Sequence, residues 1–204
     1  MLCPGCLCFW GLSSYLMEHW GLPHIIRMLR NHDLAPLYPS LSGSKRVSLL
    51  MASAVFEGAS VGPLIDLAIQ IDPSVLVAAF VGTAIAFACF SGAAMLAKRR
   101  EYLYLGGLLS SAVSMLLWLH LASSIFGGSA AFFMFEIYFG LLVFVGYMVV
   151  DTQDIIEKAH LGDLDYVKHA LTLFTDFVAV FVRILIIMLK NSAEKSEKKK
   201  KRRD

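Results

Sequence analysis

The chain has 204 residues, of which 57% are hydrophobic and 17% are charged. The charged share lies below the roughly 25% of an ordinary soluble domain. The mean hydropathy is +0.66. This composition excludes a disordered chain, a collagen-like fibre and a typical soluble enzyme, and it indicates a membrane protein. Residues 190–204 hold eight Lys or Arg and three acids within a total net charge of +2, so a nearly neutral body ends in a basic tail.

The first 44 residues differ from the remainder of the chain. They contain no run of the roughly 18 uncharged residues that a spanning helix needs. Three of the four cysteines, Cys3, Cys6 and Cys8, lie here. They lack the second ligand pair that an isolated zinc site requires, so we expect free thiols and no bound metal. We predict that residues 1–44 are an atypical segment, poorly ordered or interfacial.

Five apolar runs follow this segment, at residues 47–71, 74–97, 103–126, 127–150 and 170–189. Each is 20 to 25 residues long. At about 1.5 Å per residue, that length crosses a hydrocarbon core of roughly 30 Å. Backbone groups in lipid must be satisfied within the segment, which favours helices over strands. The sequence therefore predicts an all-α polytopic membrane protein, with a helical domain over 45–190 and a basic cytosolic tail over 191–204.

The linkers between the runs predict the orientation. Basic pairs or triplets lie at Lys45-Arg46 and Lys98-Arg99-Arg100, whereas the turns at Asp72-Pro73 and 127–129 carry no basic residue. The positive-inside rule places the basic linkers, and with them the linker 151–169, in the cytosol.

The basic tail conflicts with this orientation. If the first run starts in the cytosol and the chain crosses the membrane five times, the tail lies on the opposite side, against the positive-inside rule. The run 170–189 carries Asp176 and Arg183 and is the weakest span to insert. It is expected to be either re-entrant or buried among other helices, where charge is tolerated. Both topologies stay open on the sequence.

Charged residues inside the runs are informative, because each costs about 2.5–3.5 kcal/mol on insertion scales. They are Glu57, Asp66, Glu136, Asp151, Asp176 and Arg183. Asp66 lies near the end of its run and is expected to be solvated. Glu57 and Glu136 lie deeper, where a hydrogen bond that packs helices and a place in an ion pathway are both open.

The last two runs carry the strongest candidates for a functional site. Asp176 and Arg183 are seven residues apart and share a helix face, at about 10.5 Å along the axis. Asp151 closes the preceding run, and Asp154 follows on the same face if that helix continues. Two carboxylates in a low-dielectric site cannot both ionise cheaply, so they can share a proton and act as a pH switch. When both are ionised, they form a hard oxygen site suited to Ca²⁺.

Two further patterns carry weaker predictions. Gly58 and Gly62 form a G-x-x-x-G pattern that allows helix backbones to approach closely. The chain contains no G-x-S-x-G, H-E-x-x-H, P-loop or dinucleotide fingerprint. We therefore expect no enzymatic activity and no cofactor.

The basic tail contains six consecutive cationic residues before the final Asp204: Lys198, Lys199, Lys200, Lys201, Arg202 and Arg203. They can fix topology, contact anionic lipid, or extend a basic apolar helix that binds calmodulin. Nucleic-acid binding is not expected, because the tail lacks interleaved aromatic residues.

Four motifs resemble signatures of the Bax inhibitor family. They lie at residues 56–65 (FEGASVGPLI), 80–87 (FVGTAIAF), 146–153 (GYMVVDTQ) and 169–176 (HALTLFTD). The resemblance covers about residues 45–204, and the lysine-rich end looks most like the plant branch.

The resemblance implies a fold and a function that composition does not supply. Members have seven hydrophobic helices with the last one central, lie in the endoplasmic reticulum membrane and suppress cell death under stress. Several behave as pH-sensitive Ca²⁺ leaks, and the family's aspartate pair falls on Asp151 and Asp176. By the same resemblance, plant members are expected to bind calmodulin near the C-terminus. A full member has two more helices before the position of Lys45, which residues 1–44 replace here.

Two functions are therefore expected. The first is a pH-sensitive leak with Ca²⁺ as the permeant ion, controlled by Asp151 and Asp176, with Asp154, Arg183, Glu57 and Glu136 as possible supporting residues. The second is a non-conducting interaction protein that protects cells through calmodulin or other membrane proteins.

Overall fold

The computed structural model describes residues 43–98, 102–126 and 130–200. The predicted atypical segment 1–44, with Cys3, Cys6 and Cys8, lies almost entirely outside the described residues.

Five helices make up the described part of the chain, and it contains no strand. They are α1 (Gly43–Ile71), α2 (Pro73–Leu96), α3 (Leu105–Phe126), α4 (Ala130–His160) and α5 (Tyr166–Lys200). Each contains a stretch that is long and apolar enough to cross a membrane. The five predicted runs correspond to these helices in order, so the prediction of an all-α polytopic fold is confirmed.

Asp72 explains the sharp turn between α1 and α2. Its carboxylate accepts a hydrogen bond from the backbone N–H of Ser74 at 2.9 Å, which caps the first turn of α2. Pro73 occupies the first turn, where a missing N–H costs nothing. Hydrogen bonding from Ser74 holds the pKa of Asp72 below its usual range.

The connection between α4 and α5 is shorter than the sequence indicates. The predicted linker 151–169 is wrong in extent, because α4 continues to His160. Charged residues on the last turns of α4 are compatible with a helix that extends past the apolar run. The chain reverses over residues 161–165, where Gly162 adopts a φ of 93° that glycine tolerates best.

Helix α5 is the central element of the bundle. It packs against α1, α2 and α4, and α3 packs on the outside against α4. Phe177 and Phe181 meet Phe80 of α2 edge to face, with ring centroids 5.8 and 6.2 Å apart. Helix α5 is unbroken, so the prediction that 170–189 is re-entrant does not apply. The other prediction, a run buried among other helices, is the one observed.

Helices α4 and α5 run antiparallel through the bundle, and this fixes where the tail emerges. Arg183 of α5 lies level with Gly140 and Phe144 of α4. The end of α5 therefore lies on the side of the bundle where α4 starts, and its start lies beside the end of α4. The two basic signals, at Lys98 and in the tail, leave the bundle at opposite ends.

The glycines that permit close packing differ from those predicted. A Cβ on Gly58 or Gly62 would meet no atom within 4 Å, so the G-x-x-x-G pattern does not mediate a contact here. On α4, a Cβ on Gly140 would lie 2.9 Å from Arg183 Nε, and one on Gly146 would lie 2.8 Å from Leu109 Cδ2. Gly140 and Gly146 are therefore the positions where α5 and α3 approach α4 most tightly.

Candidate functional site: a carboxylate cluster in the helix bundle

Asp176 is the most deeply placed ionisable group in the part of the chain that the structure describes. It lies on α5 with 0% of its surface exposed, and both of its carboxylate oxygens are buried. Ionised carboxylates are seldom fully buried unless a specific environment compensates for the lost hydration. Its surroundings are therefore the first place to look for function.

Tyr147 connects Asp176 to Asp151. Tyr147 is 4% exposed and lies one turn before Asp151 on α4. The charges of both Asp151 and Asp176 act on its phenol. The two predicted aspartates therefore lie around one buried tyrosine, across the interface between α4 and α5. Sequence analysis missed Tyr147, although its position four residues before Asp151 places it on the same helix face.

Glu57 brings a third carboxylate to this region from α1. The hydroxyl of Thr175, the residue before Asp176, donates a hydrogen bond to Glu57 Oε1 at 3.2 Å. The other oxygen, Glu57 Oε2, is buried. Glu57 thus serves a packing contact between α1 and α5, at the residue that precedes Asp176. We call Glu57, Asp151 and Asp176, with Tyr147 and Thr175, the carboxylate cluster.

Two predicted acidic residues lie away from this cluster. Asp154 follows on α4, as a continuing helix requires, but its carboxylate pairs with Lys158 one turn later. Asp66 is exposed and accepts a hydrogen bond from Gln70 Nε2 at 2.8 Å, which agrees with the expectation that it is solvated.

The other half of the bundle contains a second buried polar group. Glu136 of α4 is 4% exposed, and its Oε1 lies 3.0 Å from His120 Nδ1 of α3. The charge of Glu136 also acts on the buried guanidinium of Arg183. Sequence analysis predicted Glu136 and Arg183 as supporting residues but did not pair them with His120. We call His120, Glu136 and Arg183 the His–Glu–Arg cluster.

Arg183 is held by α4 and by its own helix. Its guanidinium carbon lies 3.8 Å from the ring centroid of Phe144, a cation–π contact. Its Nη1 donates a hydrogen bond to the carbonyl of Ala179 at 3.0 Å. Gly140 leaves the space that the side chain occupies. Asp176 and Arg183, although on one face of α5, therefore belong to different clusters.

The described residues offer no group of three or more His, Cys, Asp or Glu arranged to hold a metal ion. Within the basic tail, Lys198 is exposed at the end of α5. The side chains of Lys199 and Lys200, and all of Lys201, Arg202 and Arg203, lie outside what the structure describes.

Comparison with known proteins identifies the family. The family model described as "Inhibitor of apoptosis-promoting Bax1" matches residues 24–193. The chain belongs to the Bax inhibitor family. The match begins inside the segment 1–44, so the family region starts earlier than residue 45, where the motif resemblance begins. Five apolar helices and this membership together make the chain a multi-pass membrane protein.

Several Bax inhibitor relatives are highly similar. Bax inhibitor 1 of Arabidopsis thaliana is 79% identical over 157 residues, which are 77% of this chain and 64% of the relative. Bax inhibitor 1 of Oryza sativa subsp. japonica is 68% identical over 165 residues, 81% of this chain and 66% of the relative. Bax inhibitor 1 of Homo sapiens is 44% identical over 156 residues, covering 76% and 65%. The chain thus spans less than two thirds of the length of these relatives.

Proposed function

We propose that this chain is a non-enzymatic suppressor of programmed cell death in the endoplasmic reticulum membrane, acting as a pH-sensitive Ca²⁺ leak. The names of the family model and of the relatives, Bax inhibitor 1, support the cell-death part of the proposal. The leak and its pH sensitivity are supported by the carboxylate cluster. The endoplasmic reticulum is the location that the family resemblance implies.

One observation carries the mechanism: Asp176 of α5 is fully buried, and Asp151 lies one turn after the buried Tyr147 on α4, the helix that packs against α5. Carboxylates that interact in a site of low dielectric titrate as a pair and can share a proton. The charge of the pair then decides how α4 and α5 fit together. Because α5 also contacts α1 and α2, a small shift of α5 changes the packing of most of the bundle.

Ca²⁺ would meet the oxygens of this cluster on its way through the bundle. Carboxylate and hydroxyl oxygens are hard ligands of the kind that Ca²⁺ prefers. Thr175 supplies a hydroxyl beside Glu57, and Tyr147 supplies one near Asp151 and Asp176, so the ion would meet these oxygens in succession and not as one closed site. The family resemblance favours a leak that increases on acidification, and we adopt that sign.

Measurement of Ca²⁺ efflux from liposomes tests this proposal. The purified chain is reconstituted, and efflux is read between about pH 5 and pH 8, the range in which such switches operate. Wild type is expected to show efflux that rises with acidity. Asp151→Asn and Asp176→Asn mimic the protonated carboxylate, so each is expected to remove the pH dependence.

The matched control is Asp66→Asn, the same change on an exposed carboxylate of α1. It is expected to leave the pH profile unchanged. Efflux whose pH profile is the same in Asp176→Asn as in wild type contradicts the mechanism. No efflux at any pH from inserted, folded protein contradicts the proposed leak for this chain.

The second candidate is a non-conducting protein that protects through partners such as calmodulin. The observation in its favour is that α5 stays helical to Lys200, so basic residues continue directly from an apolar helix. Calmodulin recognises amphipathic helices by their apolar anchors. However, Val180, Leu185 and Leu189 are buried in the bundle, so these apolar residues are not accessible as anchors for a partner.

Deletion of residues 191–204 separates the two candidates. If protection of stressed cells is lost while Ca²⁺ efflux from liposomes is retained, the interaction protein is favoured. If both are retained, the tail is dispensable and the leak is favoured.

A further inference from the structure

Gln153 makes a set of buried and partly buried hydrogen bonds that the proposed function does not use. It lies on α4 and is 4% exposed, which is unusual for a glutamine. Its Nε2 donates to the carbonyls of Ala94 at 3.3 Å and Lys98 at 3.2 Å. Its Oε1 accepts from the backbone N–H of Tyr102 at 2.8 Å. One side chain thus joins α4 to both sides of the α2–α3 connection.

The backbone groups that Gln153 binds lie at or near helix ends, where hydrogen-bond partners within the helix are missing. Helix α2 ends at Leu96, so carbonyls of its last turn have no i+4 amide to accept from. The amide of Tyr102 precedes the start of α3. A buried backbone group without a partner is costly, so Gln153 stabilises the end of α2 and the segment before α3 by satisfying these groups.

Gln153 and Asp151 lie on nearly opposite faces of the same helix. They are two residues apart, which is about 200° of rotation at 3.6 residues per turn. Asp151 faces the region of Tyr147 and α5. On the side of α2, the Thr152 hydroxyl also lies 3.4 Å from Ser91 Oγ. The α4 segment 151–153 is therefore held on one side by α2 and carries the carboxylate cluster on the other.

We infer that Gln153 is a positioning residue for the carboxylate cluster: it fixes α4 to the end of α2, so that any movement set by Asp151 and Asp176 falls on α5. The expected effect of Gln153 on the leak rests on the proposed function. A helix is stiff over two residues, so α4 cannot slide at Asp151 without breaking bonds at Gln153. Gln153 therefore sets how charge on the pair is converted into movement.

The pH profile of the leak is expected to report this role. The titratable and charged groups at this end of the described bundle come from every surrounding helix. They include Glu57 on α1, Lys98 after α2, Tyr102 and Tyr104 before α3, Tyr147, Asp151, Asp154, Glu157, Lys158 and His160 on α4, Asp163 and Asp165 in the turn, and Tyr166, Lys168, His169 and Asp176 on α5. Gln153→Met has similar size and changes no charge among them. A changed profile in Gln153→Met therefore reports altered positioning and not an altered set of charges.

Amide hydrogen exchange at Tyr102 tests the contact independently of any ion flux. The full chain, labelled at tyrosine nitrogen and placed in lipid nanodiscs, gives a signal for Tyr102 among its seven tyrosines. Loss of one hydrogen bond is expected to speed exchange at Tyr102 about fivefold or more in Gln153→Met. Gln70→Met, the same change at an exposed glutamine of α1, is expected to leave this rate unchanged.

If Gln153→Met does not fold, hydrogen exchange at Tyr102 in the wild-type protein still tests the contact. Tyr102 is expected to exchange slowly for a residue in a connection, and fast exchange there overturns the contact. Ca²⁺ efflux then tests the consequence: Gln153→Met is expected to retain efflux but to flatten its pH profile or shift it by half a pH unit or more. An unchanged profile with accelerated exchange at Tyr102 overturns the positioning role.

The two failures are distinguishable. Accelerated exchange at Tyr102 in a protein that shows no efflux at any pH overturns the proposed leak and leaves the contact standing. Unchanged exchange in folded Gln153→Met overturns the contact whatever the flux.

Discussion

The two buried polar clusters occupy opposite halves of one bundle and differ in how their carboxylates are held. In the His–Glu–Arg cluster, Glu136 meets an imidazole at 3.0 Å and the charge of a buried guanidinium. In the carboxylate cluster, Asp151 and Asp176 lie around a phenol, and Glu57 meets the hydroxyl of Thr175.

This difference predicts different roles for the two halves. Glu136 is held by His120, and Arg183 is held by Phe144 and by the carbonyl of Ala179, so this half consists of polar groups fixed by direct contacts. Two carboxylates that interact in a site of low dielectric, as Asp151 and Asp176 do around Tyr147, can share a proton and so respond to pH. We therefore expect the His–Glu–Arg cluster to maintain the fold and the carboxylate cluster to respond to pH.

Among the substitutions that test this comparison, Arg183→Met is expected to lower the free energy of unfolding most. It removes the cation over Phe144 and the bond to Ala179, and leaves Glu136 buried without that charge. A desolvated cation–π contact contributes about 2 kcal/mol and a hydrogen bond from a charged donor about 1.5–3 kcal/mol, so the free energy of unfolding is expected to fall by about 3–5 kcal/mol. Thermal unfolding in detergent measures the loss.

The double variant Glu136→Gln with Arg183→Met is the control for that prediction. It leaves no unmatched charge in this half, so it is expected to recover part of the lost stability. If Arg183→Met is as stable as wild type, the assignment of a structural role to the His–Glu–Arg cluster is incorrect.

Gly140→Ala sharpens the comparison with a smaller change. The new methyl group would lie 2.9 Å from Arg183 Nε, in the middle of a side chain fixed at both ends. Overpacking of this kind costs about 1–3 kcal/mol. Gly62→Ala, where a Cβ meets no atom within 4 Å, is the matched control, and we expect it to be neutral or slightly stabilising. Equal melting temperatures for the two variants contradict the tight contact at Gly140.

Asp72→Ala is expected to have the smallest effect, at the α1–α2 turn. Hydrogen bonds from Ser74 lower the pKa of Asp72 in the folded chain relative to its ordinary value of 3.8. A depressed pKa stabilises the fold above the ordinary value, and this stabilisation is lost as the pH falls through the folded value. The melting temperature of Asp72→Ala should thus lie slightly below that of wild type near neutral pH, and the gap should shrink in acid. Asp72→Asn keeps the accepting oxygen without the charge and is the matched control. A difference in melting temperature between Asp72→Ala and wild type that does not vary with pH would contradict this account of Asp72.

The sequence was sufficient for the helices because hydrophobic length alone predicts them in a membrane. It also predicted Asp151, Asp176, Glu136 and Arg183, since a charge inside an apolar run is conspicuous. It missed Tyr147 and Gln153 because uncharged polar residues do not stand out in such runs.

Other features depended on packing between helices that are distant in sequence. The pairing of His120 with Glu136 requires knowing that α3 lies against α4, which no local pattern gives. Likewise, Gly140 and Gly146 cannot be distinguished from Gly58 and Gly62 before the neighbouring helices are placed.

Infrared detection of protonated carboxyl groups tests the division between the two halves most directly. The reconstituted chain is compared at about pH 5 and pH 8, with Asp176→Asn and Glu136→Gln beside wild type. We expect a protonated-carboxyl band that appears on acidification in wild type, is lost in Asp176→Asn and is retained in Glu136→Gln. A band that survives in Asp176→Asn and disappears in Glu136→Gln would contradict the assignment and place the pH response in the His–Glu–Arg cluster.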